Sequence, residues 1–148
     1  PEKTRAVMTE DGWLRTGDIG ALDAQGRLAF RGRLKDMLKV GGENVAALEI
    51  EALLLTHPAV KMAQVVGAPH DRLGEVPAAF IELSEDAHCG KEEIIQFCRS
   101  NIASFKVPRI VRFVEQWPSS ATKIQKFKLI ELLGRPQPLG PSSEAKDE

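Results

Sequence analysis

The chain lacks the marks of a secreted, membrane-spanning or nucleic-acid-binding protein. Its 148 residues hold two cysteines, Cys89 and Cys98, too few for a disulfide framework and without the paired spacing of a zinc site. Reduced thiols and a cytoplasmic location are expected. No apolar run approaches the ~20 residues that cross a bilayer, and no basic-then-apolar signal stands at the start, so a soluble protein with no transmembrane segment is expected. Twenty Lys and Arg against 21 Asp and Glu leave a formal net charge of -1. No broad field then draws the chain to nucleic acid, and an anionic ligand needs a local site. His57, His70 and His88 have no Cys or His partner at ligand spacing, so no metal site is expected. Also missing are an internal repeat and any Gly/Ser/Thr-rich loop able to cradle a triphosphate. The opening Pro1-Glu2-Lys3 has no initiator methionine, as expected of a fragment.

What is present suits one compact domain. Residues 1–12 are polar and end on the turn signal Asp11-Gly12. Residues 19–22 and 27–34, around Asp23-Ala24-Gln25-Gly26, predict a β-hairpin. Short extended pieces at 37–40 and 44–45 flank Gly41-Gly42 and would complete a first small sheet. Residues 46–56 predict an amphipathic helix that stops at His57-Pro58, with His57 a cap or surface residue. Neighbouring core strands are expected at 60–66 and 76–83, joined through turn-rich residues 67–75.

Residues 91–102 predict a second helix, with Glu92 and Glu93 in its first turn where the helix dipole favours them. A strand at 109–114, a polar loop at 119–123 and a short helix at about 127–133 follow. The order argues for an α+β fold with helices on a central sheet of about three strands. Trp13, Phe30 and Trp117 read as packing residues, and residues 134–148 as a disordered tail too polar to bury.

Three segments hold the chemistry-bearing residues. Thr16-Gly17-Asp18 alone is a turn with a capping aspartate. Gly32-Arg33-Leu34-Lys35-Asp36-Met37-Leu38-Lys39-Val40-Gly41-Gly42-Glu43-Asn44 crowds charge into a stretch that alone reads as a solvated interdomain linker. Ser120-Ala121-Thr122-Lys123-Ile124-Gln125-Lys126 alone is an exposed basic loop.

Together and in this order, with Gly12-Trp13, Glu49-Ile50-Glu51 and His57-Pro58 between them, the segments resemble the adenylate-forming superfamily of acyl-CoA synthetases, peptide-synthetase adenylation domains and firefly luciferase. The resemblance runs from about Asp11 to Leu133. It implies the tail end of a large N-terminal AMP-binding domain at residues 1–34, a β segment, and then a small C-terminal lid domain at residues 35–133. It also implies ATP and CoA as ligands, with Mg2+ accompanying ATP at a site outside this chain. The reaction implied is activation of a carboxylic acid as acyl-AMP and transfer of the acyl group to CoA. The isolated chain, without the large domain, is expected to be inactive.

The resemblance assigns roles residue by residue. Asp18 would accept hydrogen bonds from the ribose hydroxyls of ATP, as a carboxylate can from two donors at once. Arg33 would also reach the nucleotide with its fixed fork of donors. Lys35 would be the hinge about which the small domain turns. Lys123 would be the catalytic ammonium that offsets charge developing on the α-phosphate. In a second domain arrangement Gly42 would leave room for the pantetheine arm of CoA, and Lys39 resembles a lysine that some members present in that state. Thr122 departs from the family, which usually has glycine before the catalytic lysine. Other readings of the same residues are a stand-alone binding or regulatory domain and an adenylation domain that loads a carrier protein.

Overall fold

The computed structural model describes residues 2–120 and 123–134. Thr122 and residues 135–148, where the tail was expected, lie outside them. Helix α1 (Glu2–Val7) precedes a two-stranded antiparallel sheet of β1 (Asp18–Leu22) and β2 (Leu28–Arg33). A 3-10 turn, Leu34–Asp36, leads to β3 (Met37–Val40) and β4 (Glu43–Ala46). Then come α2 (Ala47–Leu54), β5 (Val60–His70), β6 (Gly74–Leu83), α3 (Lys91–Asn101), β7 (Ile110–Phe113), the short pair β8 (Ser119–Ser120) and β9 (Lys123–Ile124), and α4 (Lys126–Leu133).

The α+β expectation holds, but the central sheet is larger than expected. It has five strands in the order β4-β3-β6-β5, with β7 parallel to β6. Strands β3 and β4 therefore join the main sheet and not the β1–β2 hairpin. Helix α3 spans the crossover that parallel pairing requires.

Both faces of this sheet are covered, and β6 shows how. Ala79 and Ile81 point into a cluster with Ile50 and Leu54 of α2 and Ile94 and Cys98 of α3. Val76, Ala78 and Phe80 point the other way, onto Leu129 of α4. A strand buried on both sides must be apolar at every step, which is why residues 76–81 carry no polar side chain.

Several local expectations give way. Residues 67–70 and 74–75 are strand, and only residues 71–73 turn. Pro69 is tolerated because β5 is an edge strand, with no outer neighbour needing its N–H. Pro77 lies in a central strand, but between the end of β3 pairing at Gly74 and the start of β7 pairing at Ala78. Its carbonyl there accepts the Arg109 N–H at 3.0 Å.

The loop expected at 119–123 contributes a two-residue ladder, Ser119 opposite Ile124 and Ser120 opposite Lys123. The polar start contains a helix. Trp13 and Phe30 are largely exposed, 72% and 57%, whereas Trp117 is partly buried under α4. Among the described residues no helix is long and apolar enough to cross a membrane.

Candidate functional site

The β1–β2 hairpin sets the first pair. Asp18 and Arg33 are cross-strand partners, and Arg33 Nε lies 3.3 Å from Asp18 Oδ1. The turn before Asp18 is held locally: Thr16 Oγ1 accepts the Asp18 N–H, and Gly17, at φ +77°, offers its carbonyl to the Leu34 N–H at 2.8 Å. That last bond links the Thr-Gly-Asp turn to the segment ahead of Lys35.

Arg33 opens onto a cavity of about 320 Å³ between the hairpin and the central fold, and Lys123 lines the same cavity from β9. Phe30 and Leu48 supply apolar wall, and Asp36, Glu51 and Lys126 complete the charged part. The Lys123 ammonium has no ion-pair partner among the described residues, whereas Lys126 is tied to Glu51 at 2.7 Å. A carboxylate-held guanidinium and an uncommitted ammonium facing one hollow suit a phosphorylated ligand.

The remaining predicted residues lie elsewhere. Gly41 and Gly42 form the β3–β4 turn at φ +58° and +91°, a region where L side chains are strained. A Cβ at Gly42 would meet nothing within 4 Å, so its surface is open. Lys39, opposite Asn44 in that hairpin, donates its ammonium to the Asn44 Oδ1, and its N–H goes to Glu75 Oε2 at 2.9 Å. Neither Lys39 nor Gly42 lines the Arg33–Lys123 cavity. Lys35 is exposed in the 3-10 turn.

His57, expected as a helix cap or a surface residue, follows the end of α2 and is buried. It is 7% exposed, its ring meets Phe97 edge-on at 4.8 Å, and its Nδ1 accepts the Ala59 N–H at 3.2 Å. In space it does meet ligand-type partners that sequence spacing hid, since Cys89 and Glu93 bring their donor atoms within 4.8 Å. His57 Nε2 faces Glu93 Oε1 at 3.8 Å. Burial, reinforced by Glu93, pushes the Cys89 thiol up to about 11. Mg2+, which wants a cage of oxygens, finds none there.

Sequence reasoning named the Glu49-Ile50-Glu51 and Lys123–Lys126 motifs without seeing that Glu51 and Lys126 meet. A buried carboxylate at the inward-facing position of an amphipathic helix was the available signal.

Comparison with known proteins fits this geometry. The model of the AMP-binding enzyme C-terminal domain matches residues 49–123. A zebrafish protein named medium-chain acyl-CoA ligase ACSF2, mitochondrial, is 47% identical over 131 residues, which are 88% of this chain and 22% of that protein. The chain thus spans under a quarter of that relative's length. Among solved structures, ATP-bound MatB from Rhodopseudomonas palustris superposes with a TM-score of 0.83 at 34% identity, over 88% of this chain and 26% of that one. Apo MatB from the same organism, at 35% identity and the same coverage, gives 0.69. With the match running over half of its residues, the chain belongs to the AMP-binding enzyme C-terminal domain family.

Proposed function

We propose that the chain is the lid portion of an ATP-dependent acid:CoA ligase, and that Lys123 is its catalytic lysine for acyl-adenylate formation. The observation that carries this reading is the shared cavity: Lys123 and Arg33 face the same 320 Å³ hollow, with Arg33 held by Asp18. The higher TM-score against the ATP-bound relative than against its apo form supports an adenylating arrangement.

In this reading Asp18 accepts the ribose hydroxyls of ATP and Arg33 reaches ribose or phosphate oxygens. The substrate carboxylate attacks the α-phosphorus, pyrophosphate leaves, and Lys123 stabilises negative charge on the phosphoryl oxygens in that transition state. Rotation about Lys35, with the boundary at residues 34–36, would then bring the Gly42 and Lys39 hairpin to the active site. There the CoA thiol attacks the acyl carbonyl and AMP leaves. ATP, the carboxylic acid and CoA would be shared with a large N-terminal AMP-binding domain, which would also hold Mg2+. The two free thiols suit a reducing compartment such as the cytoplasm.

A stand-alone regulatory role is not favoured by relatives that carry the same segment within whole ligases. Carrier loading differs only in the thiol acceptor. The test is acyl transfer by the full-length enzyme to free CoA and, separately, to a pantetheinylated carrier protein. Thioester formed on free CoA supports the ligase, and transfer to the carrier alone would replace it.

A further inference from the structure

Strand β5 is an edge of the central sheet, so some of its backbone groups have no strand to pair with. At Val65 two side chains take the missing strand's place. Glu51 Oε1, from α2, accepts the Val65 N–H at 2.8 Å. The Lys126 ammonium, from the first residue of α4, donates to the Val65 carbonyl at 3.2 Å and to the same Glu51 oxygen at 2.7 Å. The result is a closed ring of three bonds in which one carboxylate and one ammonium imitate the N–H and C=O exchange of a neighbouring strand. The Glu51 side chain is 10% exposed and that of Lys126 24%, so removing either partner strands a largely desolvated charge.

Covering an edge needs no link to Lys123, but the ring has one. Lys126 stands three residues after Lys123, with Gln125 between them fixed by its N–H to the Pro118 carbonyl at 2.8 Å. On the other side Lys123 pairs with Ser120 in the two-residue β8–β9 ladder, too short to hold a fixed position alone. Beyond it, Ile124 packs against the cluster around buried Leu129. Among the described residues, the Lys126 ammonium is therefore a polar tie between the Lys123 segment and the α2–β5 frame. Glu51 and Lys126 also line the cavity that Lys123 lines. By engaging Lys126, Glu51 leaves Lys123 as the ammonium free to meet an anion there.

We propose that Glu51 and Lys126 are positioning residues for Lys123: their ring on Val65 sets where the lysine's ammonium stands during adenylate formation. This rests on the reading of Lys123 given above. Displacing a catalytic group by about 1 Å costs on the order of 100-fold in rate.

The test is single-turnover kinetics on the full-length enzyme, measuring acyl-adenylate formation and thioester formation from preformed acyl-adenylate separately. Glu51→Gln keeps an oxygen for the Val65 N–H while removing the charge, and Lys126→Gln removes the ammonium. Each should lose about 100-fold in adenylate formation at saturating ATP and little in thioester formation. Lys126→Arg, which keeps a cation able to reach both acceptors, should recover most of that loss.

In a Lys123→Ala background neither glutamine variant should add a further loss, because an absent ammonium cannot be mispositioned. Equal loss in both half-reactions, tracking a lowered melting temperature, would reduce the ring to an edge cover and overturn the proposal. So would unchanged adenylation in both variants, or losses that multiply fully with that of Lys123→Ala. If Lys123→Ala itself leaves adenylation intact, the reading of Lys123 fails first and visibly, and the proposal falls with it.

Discussion

Asp18 and Arg33 are paired twice, as register partners across β1 and β2 and through their side chains, with Arg33 Nε 3.3 Å from Asp18 Oδ1. Both side chains are more than a third exposed, 38% and 45%, so their mutual attraction adds little to folding stability. A pair of small structural worth is free to be spent on a ligand. In the full-length enzyme, Asp18→Ala should leave the melting temperature nearly unchanged and raise the KM for ATP. Loss of hydrogen bonds to a charged acceptor is worth about 1.5–3 kcal/mol, or roughly 10-fold to 150-fold. An unchanged KM together with a lowered melting temperature would make the pair structural.

Lys35 distinguishes a pivot from a surface charge. Proline there fixes φ near -65° and removes an N–H. If the backbone turns at this residue, Lys35→Pro traps one domain arrangement, so the full-length enzyme should retain one half-reaction and lose the other. Lys35→Ala removes the charge, leaves φ free and should keep most of both. Identical behaviour of the two variants in separately measured half-reactions moves the pivot elsewhere.

The pH dependence of folding should pass through Glu82. Its carboxylate accepts from the Lys61 ammonium and from the Trp117 indole N–H, each at 2.6 Å. Those bonds, Lys61 first, hold its pKa below the ordinary value of 4.5. A carboxylate with a depressed folded pKa contributes stability that is fully present above the unfolded value and lost as pH falls through the folded one. Denaturant melts of the chain should therefore weaken below about pH 4.5, with the Trp117 indole resonance shifting in step. Lys61 is 60% exposed, so solvent screens its charge, and the Trp117 bond should matter more than the bare attraction to that charge. Glu82→Gln should flatten the acid slope. An acid profile identical to that of the unmutated chain would count against this assignment.

Much of this fold was legible because its burial is periodic. Ile50 and Leu54 fall four apart on α2, and Ile94 and Cys98 do the same on α3, so the helices could be read from apolar spacing. The ends of β5 and β6 could not. Gly67, Pro69 and Gly74 are turn residues by type, and only the edge position of β5 and the sheet's context turn them into strand. Trp13 and Phe30 read as packing residues and are exposed, because periodicity records that a residue is apolar and not which body covers it.

Of the site, the order of motifs pointed to Asp18, Arg33 and Lys123. It could not bring Glu51 to Lys126 across 75 residues, since that contact exists only once α2, β5 and α4 have packed. The same holds for His57 and Glu93, which meet only through the packing of α2 against α3.

The most direct test of the whole account is Lys123→Ala in the full-length enzyme, with the two half-reactions measured apart. Lys123 faces the Arg33 cavity and is assigned to the first step alone. Acyl-adenylate formation should therefore fall about 100-fold to 1000-fold, the usual cost of removing one such electrostatic stabiliser. Thioester formation from preformed acyl-adenylate and CoA should change far less. An equal loss in both steps, or full adenylation without the lysine, would contradict the assignment.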